Sequence, residues 1–248
     1  MKYSKAPVSE VILGITYGAN KIPVDKLFQI SSMFSTDFPF VEICPPLILD
    51  ELNGFRLQPM AATIGAGPFL IRRRTNDAKW LLQIQSNMIY LNWIRKDDEP
   101  VGVYIGFSKV KDFFATILEK ISGVVDVKVD HLLYELSYHD RVEWQGIISD
   151  ISEISAIMNV ASPPKFSSEG YNNLFSRYTY HASDMGGYGL LGINTDTSVS
   201  QKQLIRFESN LRGIIPQKTF DEWMTLAHQK QLTIFESCFS EKLRDLWK

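Results

Sequence analysis

The sequence predicts an α+β protein: two tandem strand-helix-meander-helix repeats forming one continuous antiparallel sheet with helices on one face. Two segments carry the prediction. Val8–Tyr17 and Val129–Tyr138 each open on Val, close on Tyr and hold aliphatics between, the composition of a strand. Each is followed by apolar residues at helical spacing, a Pro-Pro pair (Pro45-Pro46 and Pro163-Pro164), short strand-like runs and a closing helix. No linker separates the copies, because residues 122–128 run straight into the second strand segment. The repeats are residues 1–123 and 124–248, packed as one unit. Such self-similarity fixes architecture but not chemistry.

Pro23 suits the first position of a helix, and Val24, Leu27, Phe28, Ile30 and Phe34 continue near helical spacing. Residues 38–46 contain three prolines and are expected to be extended. A meander follows over 55–63, 67–74, 79–85 and 88–93, broken by the turn-forming pairs Asn76-Asp77 and Ser86-Asn87. Residues 108–121 close the repeat as a helix with an apolar stripe. In the second repeat, Ile147, Ile148, Ile151, Ile154 and Met158 suggest a helix. Strands are expected near 174–181, 188–194 and 204–207. Thr219 and Glu222 have the spacing of a capping box and open a long final helix.

Alternation assigns the strand faces. A two-residue turn at Ser86-Asn87 pairs Gln85 with Met88, Gln83 with Tyr90 and Trp80 with Trp93. Trp80, Leu82, Ile84, Ile89, Leu91 and Trp93 then form a core face. The preceding hairpin, turning at 75–78, pairs Arg74 with Lys79 and Arg72 with Leu81, and leaves Arg73 at the core's rim. The opposite, helix-free face is expected to collect Glu10, Arg72, Arg74, Gln83, Gln85, Tyr90, Asn92, His131 and Glu135. Amides and guanidinium groups together offer the donors and acceptors of a recognition surface, although a solvated outer face is the commoner reason for such a pattern.

Bulk properties exclude several classes. The 248 residues carry a net charge of −2, which argues against a protein that coats nucleic acid by charge alone. Two cysteines are too few for a disulfide framework. No apolar run reaches the roughly 20 residues that span a bilayer, and the first residues lack a signal-peptide core. A cytoplasmic protein with reduced thiols is the expectation.

Catalytic patterns are weak. Gly187, Gly189 and Gly192 match a dinucleotide-binding spacing, but a strand rather than a helix is expected next, which denies the pyrophosphate its helix N-terminus. Ser108-Lys109-Val110-Lys111 reads better as a helix N-cap than as a serine-lysine pair. The four histidines lack zinc-site spacing. His181 with Asp184 reads as a surface pair, and His139-Asp140 as turn chemistry. No cofactor or metal is called for.

In topology the chain resembles the duplicated saddle of the TATA-binding protein and the helix-grip proteins. Three stretches also resemble a sporadically distributed, uncharacterised bacterial family of about this length. They are Tyr3–Val11, the prolines of 39–46, and Leu81-Leu82-Gln83-Ile84-Gln85 followed by Asn92-Trp93. That family places Arg directly after Asn-Trp. Here Ile94 intervenes before Arg95, which moves the Arg to the other strand face. The resemblance implies a sensor, antitoxin or accessory subunit of a bacterial defence or conflict system. The expected partner is a protein, bound through the helix-free face without catalysis. Nucleic acid across the saddle, a small ligand between sheet and helix, and a second copy of the chain stay open as alternatives.

Overall fold

The computed structural model describes residues 3–17, 22–50, 54–57, 69–125, 133–144, 147–149, 151–159, 175–197 and 203–248. The expected strand ends at 58–63 and 67–68, the start of the 129–138 strand with His131, the 161–164 Pro-Pro loop and Leu174 lie outside the described residues.

The first half runs β1 (Val8–Thr16), α1 (Val24–Met33), β2 (Phe40–Cys44), β3 (Leu47–Asp50), β4 (Gly54–Leu57), β5 (Leu70–Arg74), β6 (Trp80–Gln85), β7 (Met88–Ile94) and α2 (Phe107–Ser122). The second runs β8 (Leu133–Glu143), a 3-10 turn (Ile151–Ala156), β9 (Phe175–Ala182), a second 3-10 turn (Ser183–Met185), β10 (Gly187–Thr197), β11 (Gln203–Gly213), α3 (Phe220–Cys238) and α4 (Glu241–Asp245). Nine strands form one antiparallel sheet in the order β2-β5-β6-β7-β1-β8-β11-β10-β9, and β3-β4 form a separate ribbon. The α+β class is thus as expected.

The chain divides into two compact units, and β1 and β8 each pass from one to the other. One unit comprises Ile12–Ile94 and Gly106–Glu135. Its core face is the expected one: β6 pairs with β7 through Gln85↔Met88, Gln83↔Tyr90 and Trp80↔Trp93. Phe38 stacks on Phe113 of α2, and Trp80 meets the same ring edge-on at 4.8 Å. Val110, Phe114, Ile117 and Ile121 are the buried stripe of α2. That helix starts from Gly106 at φ 94°, and Ser108, expected as its cap, lies in its first turn.

The β5–β6 register departs by two residues, with Arg72 opposite Gln83 and Arg74 opposite Leu81. The loop is wider than expected because Asp77 binds both the Thr75 hydroxyl and the Lys79 N–H, and the Thr75 hydroxyl accepts from the Trp80 N–H. A two-residue slip preserves both faces. Arg73 is buried rather than peripheral. Its guanidinium donates to Ser31 Oγ of α1 at 2.7 Å and to the Phe38 carbonyl at 2.9 Å, so α1 is fixed to the sheet by charge-assisted bonds.

The other unit comprises Met1–Val11, Arg95–Ile105 and Leu136–Lys248. Its core gathers Trp144, Ile154, Phe207, Phe239, Leu243 and Trp247. Among the described residues of the 147–158 stripe, Ile151–Ala156 form a 3-10 turn rather than the expected α-helix. The capping box is present: Thr219 Oγ1 accepts from the Glu222 N–H, and Glu222 accepts from the Thr219 N–H. Gly186 adopts the left-handed conformation, and a Cβ there would meet the Ile214 carbonyl oxygen at 1.8 Å. It turns the chain into β10, so Gly187, Gly189 and Gly192 stand within a strand. No described helix is long and apolar enough to cross a membrane.

Candidate functional site

The expected recognition residues divide between the units. Arg72, Arg74, Gln83, Gln85, Tyr90, Asn92 and Glu135 lie in the unit holding β5–β7, Glu10 lies in the other, and His131 lies outside the described residues.

In the first unit these side chains satisfy one another. Arg72 Nε donates to Gln83 Oε1 at 3.1 Å, and Gln83 Nε2 donates to Asn92 Oδ1 at 3.0 Å. The Tyr90 hydroxyl donates to Glu135 at 2.7 Å and stands 3.1 Å from the Thr16 hydroxyl. Gly14 makes room for the Tyr90 ring, since a Cβ there would stand 2.0 Å from it. Gln85 accepts from the Leu47 N–H at 2.7 Å and donates to the Leu47 carbonyl at 3.0 Å. Its amide therefore pairs with the backbone of β3 as another strand would. Gln83, Gln85, Tyr90, Asn92 and Glu135 are all buried, and Arg74 is exposed. Buried polar groups need partners, and here most of the expected donors and acceptors are spent inside the protein.

In the second unit the face opposite α3 buries Ser137, Asn210 and Arg212 and leaves one charged row partly exposed. The α3 side of the sheet is marked by Tyr138, whose hydroxyl lies 2.8 Å from His228 Nδ1, and by Phe207 against Phe235. On the opposite side a row of charge crosses the strands. Glu10 of β1 stands 3.7 Å from His139 Nδ1 of β8, and His139 Nε2 stands 3.9 Å from Glu208 of β11. Glu208 stands 3.6 Å from Arg177 of β9. Gly192 of β10 lies between the last two, opposite both in register. A Cβ at Gly192 would meet the Glu208 carboxylate at 3.2 Å, so the glycine lets the carboxylate and guanidinium meet over the strand. The four side chains are 25–35% exposed, enough to meet a partner in water.

A second cluster lies on the α3 side of this unit. Asp140, which the sequence suggests as turn chemistry, is buried within β8. Burial pushes its carboxyl up to about 7, and Arg95 pulls it partly back. Asp140 Oδ1 has no hydrogen-bond donor among the described residues. Arg95 is buried too, and desolvation first, then the Arg141 charge, lowers its pKa. The Tyr104 and Tyr138 rings meet edge-on with centroids 6.5 Å apart, and burial drives both phenols up. Burial lowers His228 to about 4. Alternation in the sequence is the signal that finds Asp140. Leu136, Tyr138, Asp140 and Val142 share a phase, so Asp140 belongs to the inward face.

Asp184 binds Lys230 at 2.5 Å, and that bond lowers its pKa. No group of three or more His, Cys, Asp or Glu side chains stands in metal-binding geometry among the described residues. Comparison with protein-family models, curated proteins and solved structures returned no match.

Proposed function

We propose that the chain is a non-enzymatic recognition protein that binds a protein partner through the charged row Glu10, His139, Glu208 and Arg177. The carrying observation is the contrast between the two polar faces. The amide-rich face of the first unit is buried and internally bonded, whereas the row of the second unit is partly exposed. Its mixed signs favour a protein surface over a phosphate backbone, which would meet two carboxylates. The family likeness adds a setting, that of a sensor, antitoxin or accessory subunit in a bacterial defence system. The duplicated-saddle reading has support in the strand order: β5-β6-β7-β1 in the first half is mirrored by β9-β10-β11-β8 in the second.

The test is a photo-crosslinking amino acid placed at Arg177, at Glu208 or, on α3, at Gln229, expressed in the native host. One discrete protein adduct is expected from the first two positions and none from the third. No adduct, or the same adduct from Gln229, would overturn the reading.

A further inference from the structure

β2 ends the nine-stranded sheet, and no described strand pairs with its outer edge. Its sequence is Phe-Val-Glu-Ile-Cys, with Phe40 59%, Val41 56% and Ile43 63% exposed. Most exposed edges are protected by lysine, proline or a bulge, because free N–H and C=O groups invite another strand. Here Pro39 precedes the strand and no lysine interrupts it. Val41 lies opposite Arg73 and Ile43 opposite Ile71, and Arg73 points at α1. These two side chains are therefore on the α1 side. On α1 itself Val24 and Phe28 are also exposed, one turn apart on the same helix face, and Phe28 lies against Phe69.

We propose that β2 pairs antiparallel with β2 of a second copy of this chain about a two-fold axis normal to the sheet. Such an axis opposes residues of equal parity and brings the two α1 sides together. Charge selects the register. Centring on Glu42 sets two carboxylates face to face, which is repulsive. Centring on Ile43 sets Glu42 against Cys44, whose thiol is already taken by Arg72 Nη1 of its own chain at 3.9 Å, a guanidinium also engaged by Gln83, so that register brings no uncommitted cation to the carboxylate. Centring on Val41 sets Glu42 against Phe40 of the second copy. Phe40 neighbours Arg74 and Glu42 neighbours Arg72. The row across the interface then reads Arg72, Glu42, Phe40, Arg74, a carboxylate between two guanidinium groups, and symmetry makes it occur twice. Arg74 is exposed and free to extend over the Phe40 ring. A five-residue strand alone falls short of the roughly 800 Å² per partner of a standard interface. The Val24 and Phe28 side chains widen the contact on the helix-bearing side.

Sedimentation velocity over a micromolar concentration series tests the proposal. A concentration-dependent dimer is expected, and V41K/I43K is expected to be monomeric, with an unchanged melting curve at concentrations where the parent chain is itself monomeric, since both positions face water. E42K should weaken the dimer roughly tenfold or more, and R74E added to it should restore most of that loss. Mild oxidation should link V41C into a covalent dimer faster than I43C, because opposed Cα atoms at the axis lie within disulfide reach. A monomer at every concentration, a dimer that survives V41K/I43K, open-ended assemblies, or faster linkage of I43C would each overturn it.

Discussion

Asp140 and His228, both on the α3 side of the same unit, pull the pH dependence of stability in opposite directions. Asp140 holds a proton in the folded chain up to about pH 7, where the unfolded chain has lost it near 4. Its contribution is full below about pH 4 and is lost as pH rises through 7. His228 is neutral in the folded chain down to about pH 4, where the unfolded chain protonates near 6.5. Its contribution is present above about pH 6.5 and is lost as pH falls through 4. Each slope approaches about 1.4 kcal/mol per pH unit, so between pH 4 and 6.5 the two nearly cancel. Urea unfolding across this range should show stability rising with pH in D140N and falling with pH in H228Q, with the parent chain between them. Equal slopes in both variants would refute the two opposed shifts. Neither group was legible as part of a cluster in the sequence. His228 has no local pattern, and its partner Tyr138 lies 90 residues away.

At the level of elements, hairpins read well where turn chemistry was complete. Ser86-Asn87 fixed the β6–β7 register to the residue. Asp77 hid a wider loop, because its second bond, to Thr75, depends on side-chain geometry that spacing does not reveal. The 147–158 stripe shows the limit of periodicity, since its apolar spacing yields a 3-10 turn among its described residues. Two packing devices are testable. Gly14 beneath Tyr90 and Gly189 beneath Tyr180 each leave space for an aromatic ring, with a Cβ at either reaching within about 2 Å of it. G14A should destabilise by roughly 1–3 kcal/mol through overpacking, and Y90L should relieve part of that in a double-mutant cycle of denaturant unfolding. T219A should cost about 1 kcal/mol by removing the cap of α3, read as a lower denaturation midpoint. A Thr219 variant with unchanged midpoint would mean that the helix is held by its packing alone.

At the scale of the whole chain, the α+β class and the antiparallel sheet were legible because strand alternation and helical stripes are local. Which polar face meets water was not legible. Gln83, Gln85 and Asn92 have the chemistry of a recognition surface, yet Gln85 is consumed by the backbone of β3, 38 residues upstream. Composition names a residue's bonding capacity and leaves open whether the fold has already used it. The central strand β1 carries a different consequence. Its neighbour β8 includes His139, whose carbonyl accepts from Ser9 across 130 residues of sequence. At roughly 5–20 residues per second, a ribosome needs about 6–26 s to deliver β8 after β1. Throughout that interval one long edge of β1 has no native mate, and nascent chains in crowded polysomes can reach it. A strand edge without its mate is a template for mispairing, so for β1 that hazard lasts until β8 arrives.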